Sequence, residues 1–419
     1  MKGMNLPPKF IRAVILLSAI GGIVETYDFF SIGIISTAIW PYVFFKKATN
    51  FAIAFSILAY ATILVGRPAG GVVFGHFGDK LGRKFSMFWT LIISGFAMLL
   101  IALMPPIGIT AVFLIAILRF IQGLGLGGDA GSSLTLGYEY ASKGEKTAYY
   151  SSYLQASVIL GIILGVLGIL LSERLESKIF LLTYGWRILV GVGAVAIILS
   201  AYLRARIVES LDFKELMRNG NLEKTPMKTA FKKCGRNILL TTLTIAYFPV
   251  ALNFLLYPYS LEFLEKSGYS QIITTFTFLI ASILAFLMTI IGGYLADKYG
   301  WRNVVLISTI GSLASIPVFF IHSLLVLFPL FMIMSLGWGA FGVVSSVFPV
   351  NVRNTSTGAV IGLVGLIPAV LLVVVLPTLI SVYGVTRALL PVLAITSVFI
   401  VISIISTLIG GRKVEGITP

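Results

Sequence analysis

Long apolar runs separated by short polar segments repeat from one end of the chain to the other. Each run holds about 20 residues, the length that an α-helix needs to cross the hydrocarbon core of a bilayer. The longest polar stretch is Leu211–Arg236. The pattern predicts an all-α integral membrane protein with twelve transmembrane helices, at residues 12–40, 51–74, 85–104, 108–138, 147–172, 186–209, 237–261, 271–295, 303–321, 324–348, 354–382 and 386–410.

Positive charge is unevenly distributed between the two sides of these spans. The side that carries the N-terminus has Lys2, Lys9, Arg12, Lys80, Arg83, Lys84, Lys143, Lys146, the basic residues from Arg204 to Arg236, Lys298, Arg302, Arg353, Arg412 and Lys413. The other side has only Lys46, Lys47, Arg174, Lys178, Arg187, Lys266 and Arg387. The positive-inside rule therefore predicts that both termini are cytoplasmic. This asymmetry also explains the formal net charge of +15 without a nucleic-acid partner.

An internal repeat divides the chain into two halves. The segment "GHFGDKLGRKFS" follows the second predicted helix, and "GGYLADKYGWRN" follows the eighth. Aligning Asp79 with Asp297 also pairs Gly82 with Gly300. We therefore predict two pseudo-symmetric six-helix bundles, at residues 1–209 and 237–419, joined by a cytoplasmic linker at 210–236. A substrate site between two such bundles, near the middle of the membrane, is typical of transporters.

Several other classes of function are disfavoured by the sequence. Cys234 is the only cysteine, and neither it nor His76 and His322 belongs to a metal-ligand pattern. The stretch "GLGLGG" at 123–128 spells a dinucleotide-binding fingerprint, but it lies within an apolar helical run rather than between a strand and a helix. Small residues there favour close helix packing. No Walker motif or secretory signal is evident. We therefore expect no enzymatic activity, no metal and no cofactor.

Specific motifs resemble one family of transporters. "GHFGDKLGRK" resembles the loop signature of the major facilitator superfamily, and "GGYLADKYGWR" resembles a degenerate second copy. "VETYDFFSIG" and "RFIQGLGLGGDAGSSLTLGYEYA" are similar to segments of the metabolite:proton symporters within that superfamily. The resemblance implies a proton-coupled importer of small carboxylates or zwitterions, such as dicarboxylic and tricarboxylic acids, shikimate, proline and betaine.

Few ionisable side chains lie away from the ends of the predicted spans, and all of them are in the first half: Glu25, Asp28, Arg67, Arg119 and Asp129, with Glu139 at the cytoplasmic end of helix 4. A charge at mid-bilayer costs about 2.5–3.5 kcal/mol on insertion scales, so each of them should face a cavity or a partner. At about 1.5 Å per residue, Asp28 and Arg119 both reach the middle of the membrane, which predicts that they pair. A carboxylate released by its arginine can take a proton. We therefore expect Asp28, Glu25 and Arg119 to couple transport to H⁺, with Asp28 favoured as the carrier.

The same estimate of depth places Arg67 and Asp129 closer to the cytoplasm. They are predicted to form a second buried pair, which serves either in substrate binding and gating or as a structural bridge between helices 2 and 4. The family resemblance implies a third group, a cytoplasmic gate made of ion pairs that latch the outward-facing state. Its members are Asp79, Arg83, Glu139 and Glu209, with Asp297 as the repeat counterpart. The alternative is that Arg83 and Lys84 only signal topology.

Candidate substrate contacts come from both halves. They are Arg67, Arg119, Tyr27, Phe30 and Gln155 in the first half, and Tyr247, Asn253, Tyr257 and Trp338 in the second. Aromatic residues in membrane helices also serve in packing and in interfacial belts, which is the alternative for these rings.

The sequence therefore predicts a secondary active transporter that imports a small carboxylate or zwitterion with protons by alternating access. The alternatives are a proton-coupled sugar or polyol transporter, a drug:proton antiporter, and a facilitator or receptor. Two cations in the cavity disfavour a cationic drug, and two buried acids disfavour a facilitator. The expected setting is the plasma membrane, as a multi-pass monomer whose partners are the bilayer, H⁺ and a small solute.

Overall fold

The computed structural model describes residues 6–46, 49–172 and 180–410. Within those ranges, twelve helices are long and apolar enough to cross a membrane. In chain order they are α1 Pro8–Ala38, α2 Asn50–Leu81, α3 Arg83–Ala102, α4 Ile109–Ala141, α5 Thr147–Ser172, α6 Leu182–Arg204, α7 Pro226–Lys266, α8 Gln271–Tyr299, α9 Trp301–Ile321, α10 Leu324–Val347, α11 Val350–Arg387 and α12 Leu389–Ile409. The predicted charges at Lys2, Lys47, Arg174, Lys178, Arg412 and Lys413 lie outside the described residues.

The prediction of twelve transmembrane helices is confirmed. Helices suit this sequence because each one satisfies its own backbone hydrogen bonds, as hydrocarbon surroundings require. Large apolar side chains point outward, for example Leu58 and Val65, which are 59% and 60% exposed. An even number of spans puts the start of α1 and the end of α12 on one side of the bundle, together with the segment that joins α6 to α7. We call this side the linker end; the positive-inside rule predicts that it is cytoplasmic.

The turns of the repeated loop motif are tighter than the sequence suggests. Helix α2 continues to Leu81, and a single glycine, Gly82, separates it from α3. Gly82 has a φ of 113°, a conformation that glycine tolerates because it lacks a side chain. Its repeat counterpart, Gly300, has a φ of 84° between α8 and α9. The two halves therefore share the same turn at the aligned positions.

The polar connection between the halves is shorter than predicted. Helix α7 begins at Pro226, whereas the sequence pattern placed its start at 237. The first turns of α7 are amphipathic, with exposed Lys228 and Lys232 on one side and buried Ala230 and Cys234 on the other. The hydrophobic run alone missed them for this reason. Residues 205–225 remain as the linker and contain one short helix, Leu211–Arg218.

Helix packing repeats between the two halves. In the first half α1 packs against α5, α2 against α4, and α3 against α6. In the second half α7 packs against α11, α8 against α10, and α9 against α12, so each contact recurs six helices later. The halves meet through two further pairs of helices, α2 with α11 and α5 with α8. The pseudo-symmetry between the halves relates α2 to α8 and α5 to α11, so it converts one of these pairs into the other. This arrangement is the pseudo-symmetric pair of bundles that the repeat predicts.

Glycines bring α2 and α11 into backbone contact. A Cβ atom on Gly71 would collide with the backbone of Gly358, and one on Gly358 would collide with Gly71. Nearer the linker end, a Cβ on Gly75 would lie 2.7 Å from the Cα of Thr355. The two bundles are therefore closed against each other in this region with no side chains between the helices.

We expect Gly358→Leu to favour a state that is open at the linker end. Overpacking costs about 1–3 kcal/mol and applies only while α2 and α11 touch, so it shifts the population by about 5- to 150-fold. Nitroxide labels at Lys80 and Lys228, in a Cys234→Ala background, report the separation by double electron–electron resonance. The matched control is Gly235→Leu, because a Cβ at Gly235 meets nothing within 4 Å. Identical distance distributions in the two variants would contradict the prediction.

Candidate functional site

A central cavity of about 170 Å³ lies between the two halves. Helices α1, α2, α4 and α5 form one wall, and α7, α10 and α11 form the other. Its polar lining consists of Ser18, Thr26, Glu25, Arg67, Asp129, Ser133, Gln155, Ser157 and Asn253. Its aromatic lining consists of Phe29, Phe30, Phe248 and Trp338. The cavity is therefore an apolar chamber with a small polar patch, most of which belongs to the first half.

One face of α1 supplies much of this wall. Ser18, Gly22, Glu25 and Phe29 all line the cavity, and their spacing of three or four residues puts them in one stripe along the helix. Tyr27 lies two residues from Glu25, so it projects from nearly the opposite side of α1. It is near Gly193 of α6, where a Cβ would be 3.7 Å from the Tyr27 ring. The predicted substrate contact at Tyr27 is therefore not in the cavity.

Glu25 and Arg67 form an ion pair on the cavity wall. The two side chains are 10% and 15% exposed, so both are accessible to a ligand in the chamber. The Nε atom of Arg67 is buried and has no hydrogen-bond partner among the described residues. It faces the second half, because a Cβ on Gly365 of α11 would lie 3.6 Å from it. The pair thus offers one negative and one positive group to the same ligand.

Asp28 and Arg119 form a second ion pair, as predicted, with 2.8 Å between Asp28 Oδ2 and Arg119 Nη1. Gln122 donates to the same carboxylate oxygen over 3.1 Å and accepts from Arg119 over 2.7 Å. The guanidinium also lies over the Tyr60 ring, 5.3 Å from its centroid. Asp28, Arg119 and Gln122 are fully buried and absent from the cavity lining. The predicted pairing is present, but Arg119 does not contact the chamber as a substrate ligand would.

The predicted pair of Arg67 with Asp129 is wrong. Asp129 binds Arg204 instead, and Arg67 binds Glu25. Arg204 ends α6, is 1% exposed, and also donates to the backbone carbonyls of Leu17 and Ser18 in α1. The rise per residue fixes the depth of a side chain but not the side of the helix from which it projects, and depth alone suggested the wrong partner.

Arg204 is a residue of the site that the sequence reasoning missed, because it was counted among the cytoplasmic charges. A signal was nevertheless present. Arg204 lies roughly 27 Å along α6 from Trp186, close to the estimated depth of Asp129 on α4. The pair touches the chamber through Asp129. Gly21 of α1 leaves space for the ion pair of Asp129 with Arg204, since a Cβ on Gly21 would lie 2.6 Å from the Asp129 carboxylate.

Ion pairs and backbone hydrogen bonds close the linker end. Arg83 is fully buried and lies 3.4 Å from Asp79 and 3.2 Å from Glu139, so it does more than signal topology. It also donates to the Val350 carbonyl of the second half over 2.7 Å. Arg353, which the sequence reasoning treated as a topology signal, lies 3.0 Å from Glu139. Both arginines therefore join the two halves through Glu139 and Val350.

Asp79 and Asp297 bind helix termini across the seam between the halves. The Asp79 carboxylate accepts hydrogen bonds from the backbone N–H groups of Asn354 and Thr355, over 3.0 and 2.8 Å, at the start of α11. The Asp297 carboxylate accepts from the N–H groups of Ala148 and Tyr149, over 2.7 and 2.8 Å, at the start of α5. A negative charge is stabilised at a helix N-terminus, where N–H groups lack intrahelical partners. Asp297 therefore acts as a cap, and it forms no ion pair with any residue that the structure describes.

Glu209 has a different role from the ion pair that the resemblance implies. Its carboxylate accepts from the backbone N–H groups of Arg83 and Lys84 over 3.1 and 3.0 Å, so it caps α3. Burial raises the pKa of the Glu209 carboxyl above its usual range. Asp212 of the linker helix, which the sequence reasoning did not single out, bridges Lys143 and Arg353 at 2.6 and 3.2 Å. The linker is thereby attached to both halves.

The remaining substrate candidates separate into two groups. Gln155, Asn253, Trp338 and Phe30 line the cavity. Gln155 keeps a buried Nε2 donor without a partner among the described residues, and the Trp338 indole donates to the Gln155 carbonyl across the seam over 3.3 Å. Tyr247 and Tyr257 are not in the lining. The Tyr247 hydroxyl is bonded to Ser308 and Met334 within the second half, and Tyr257 packs on Phe30 with 4.4 Å between the ring centroids.

Comparisons with known proteins identify relatives of the chain and structures with the same fold. A family model described as Major Facilitator Superfamily matches residues 22–371. The inner membrane metabolite transport protein YhjE of Escherichia coli K12 is 31% identical over 71% of this chain and 69% of its own. The shikimate transporter of the same organism is 30% identical over 74% of this chain and 72% of its own. The solved structure of the proton:xylose symporter XylE superimposes with a TM-score of 0.76 at 18% identity, covering 96% and 95% of the two chains.

We expect the buried pair of Asp129 and Arg204 to behave as a unit in stability measurements. Asp129→Asn or Arg204→Gln alone leaves a buried charge without its partner and costs about 3–5 kcal/mol, whereas the double variant should recover much of that loss. Thermal unfolding in detergent measures each variant. Lys143→Gln is the control, because its ion pair with Asp212 is partly exposed and is worth about 0–1 kcal/mol. A double variant that loses the sum of both single losses would refute the coupling.

Proposed function

Because the chain belongs to the major facilitator superfamily, we propose that it imports a small carboxylate or zwitterionic metabolite together with protons. The predicted family and fold are confirmed, and the relatives and structural neighbours are transporters rather than enzymes. The names of the relatives include a metabolite transport protein, a shikimate transporter and a putative proline/betaine transporter. These solutes are acids or zwitterions, which supports the same class for this chain.

The observation that carries the proposal is the ion pair of Glu25 and Arg67 on the cavity wall. A zwitterion can replace both partners at once, with its carboxylate on Arg67 and its cationic group on Glu25. Exchange of one set of charge-assisted hydrogen bonds for another leaves neither residue uncompensated. Phe29, Phe248 and Trp338 cover the apolar part of such a ligand. The cavity of about 170 Å³ is smaller than pockets for drug-sized molecules, which begin near 300 Å³.

Asp28 and Arg119 are proposed to handle the proton. Their pair is sealed from the cavity, and Asp28 Oδ1 and Arg119 Nη2 have no hydrogen-bond partner among the described residues. A carboxylate in contact with an arginine is favoured in its charged form, whereas a carboxyl group without that contact in low-dielectric surroundings is favoured as the neutral acid. Movement of Arg119 away from Asp28 is therefore the step that we propose to accompany proton uptake. Glu25 lies on the adjacent part of α1 and links the occupied cavity to this movement, so substrate and proton sites are neighbours rather than one site.

Transport is proposed to follow alternating access. The described structure has its linker end closed by Asp79, Arg83, Asp297 and Arg353, while Phe30 and Tyr257 meet on the inner faces of the two halves. Reorganisation of these contacts would open the cavity to each side in turn. We expect the protein to work in the plasma membrane as a monomer, with both termini cytoplasmic and with H⁺ as its coupling ion and no other cofactor.

We expect purified protein in liposomes with an acidic exterior to accumulate a small carboxylate or zwitterion and to acidify the lumen. The screen compares proline, betaine, shikimate and dicarboxylates with sugars and cationic dyes, and a lumenal pH dye records proton movement. Sugar-driven acidification would instead support the sugar symporter alternative. If no solute carries protons inward, the proposal of symport fails.

Asp28→Asn is expected to abolish gradient-driven accumulation while leaving substrate exchange intact, because the amide cannot carry the proton. Loss of exchange as well would assign Asp28 to binding or structure.

Arg67→Lys should raise the KM for the substrate about tenfold, since lysine cannot form the bidentate contact with a carboxylate. Glu265→Gln, at an exposed acid on α7, is the control for both measurements.

A further inference from the structure

A second cavity lies at the linker end of the second half, away from the central chamber. Its volume is about 680 Å³, and its walls come from α7, α9, α10 and α12 with the segment that follows α10. All the described residues that line it belong to the second half. We propose that this cavity binds a phosphate group, carried either by a lipid headgroup or by a soluble phosphate.

The charge of the lining favours an anion. Among the described residues of the lining, Arg302 is the only charged one, and none of them is a carboxylate. Arg302 is half-buried and lies over the Trp301 ring, 5.4 Å from the centroid. Within the described ranges, its guanidinium donates to no acceptor. The nearby Asp297 points away, since both its oxygens bind N–H groups of α5. An arginine fork without a carboxylate partner suits the oxygens of a phosphate.

Besides Arg302, the first turn of α9 provides backbone N–H donors to the cavity. Gly300, Trp301, Arg302 and Asn303 all line the cavity, and no side chain caps the helix. The first turn also carries no acidic residue. Free N–H groups and the helix dipole make such a terminus attractive to anions.

An unpaired hydroxyl on a largely buried residue of α7 supplies an independent indication of a ligand. Thr241 of α7 is 6% exposed and lines the cavity. In the part of the chain that the structure describes, its hydroxyl makes no hydrogen bond, so the side chain offers the cavity a free polar group. A phosphate in the cavity provides acceptors for such a donor as well as for Arg302.

The position of the cavity is compatible with a lipid source. Leu239 and Leu408 adjoin the lining residues Leu240 and Thr407 and are 55% and 64% exposed on the outer surface. Lipid-facing apolar side chains therefore begin at the level of the cavity, and basic pockets at this level between helices accommodate lipid headgroups.

The test is isothermal titration calorimetry of the full chain in detergent with three probes: dioctanoyl phosphatidylglycerol, inorganic phosphate and dioctanoylglycerol. We expect binding of at least one phosphate-bearing probe and no binding of dioctanoylglycerol, which has the same acyl chains without phosphate. Binding of the lipid without competition by inorganic phosphate identifies a headgroup site, whereas binding of inorganic phosphate itself identifies a soluble ligand. Equal binding of all three, or of none, would overturn the proposal.

Two variants locate the site. Arg302→Gln should weaken binding about tenfold, the effect of losing one charge-assisted contact. Thr241→Val should weaken it by a smaller factor. Lys298→Gln removes the same charge from the same end of the second half but lies outside the lining, and it should leave the affinity within twofold. Circular dichroism melting confirms that each variant is folded. An equal loss in Arg302→Gln and Lys298→Gln would indicate general surface attraction and refute the site.

Discussion

The cost of an ionised group in a low-dielectric interior governs the arrangement of the first half. Three buried acids, Glu25, Asp28 and Asp129, each have their own arginine, from α2, α4 and α6 respectively. These ion pairs join α2 and α4 to α1, and they join α6 to α4. Breaking any one pair leaves a buried charge uncompensated, so the helices cannot separate freely. In the proposed mechanism, a proton or a ligand takes the place of one partner when the helices move.

The second half has no such pairs at the corresponding depth within the described residues. Its core is aromatic and aliphatic, with Phe248 and Trp338 stacked at 4.3 Å beside the cavity. Apolar contacts are non-directional and tolerate sliding better than a buried ion pair does. The asymmetry suggests a division of roles in which the first half senses charge, while the second half supplies shape to the chamber.

The sequence was sufficient for the fold and for part of the site. Apolar runs identified twelve spans, and the aligned Gly82 and Gly300 located the same turn in both halves. The pairing of Asp28 with Arg119 followed from depth. Depth failed for Asp129, because the azimuth of a side chain depends on helix packing that no local pattern encodes. Arg204 and Arg353 were misjudged because a charge at a helix end is typical both of a topology signal and of a buried ion pair.

The caps formed by Asp79 and Asp297 have a consequence for how the two halves vary. The two carboxylates accept hydrogen bonds from the backbone N–H groups of Ala148, Tyr149, Asn354 and Thr355, and these donors do not depend on the side chains. Thr355 alone adds its hydroxyl, which donates to Asp79 over 2.7 Å. Since only proline lacks a backbone donor, the other three positions can change in sequence and keep the contact, whereas a change of Asp79 or Asp297 removes it.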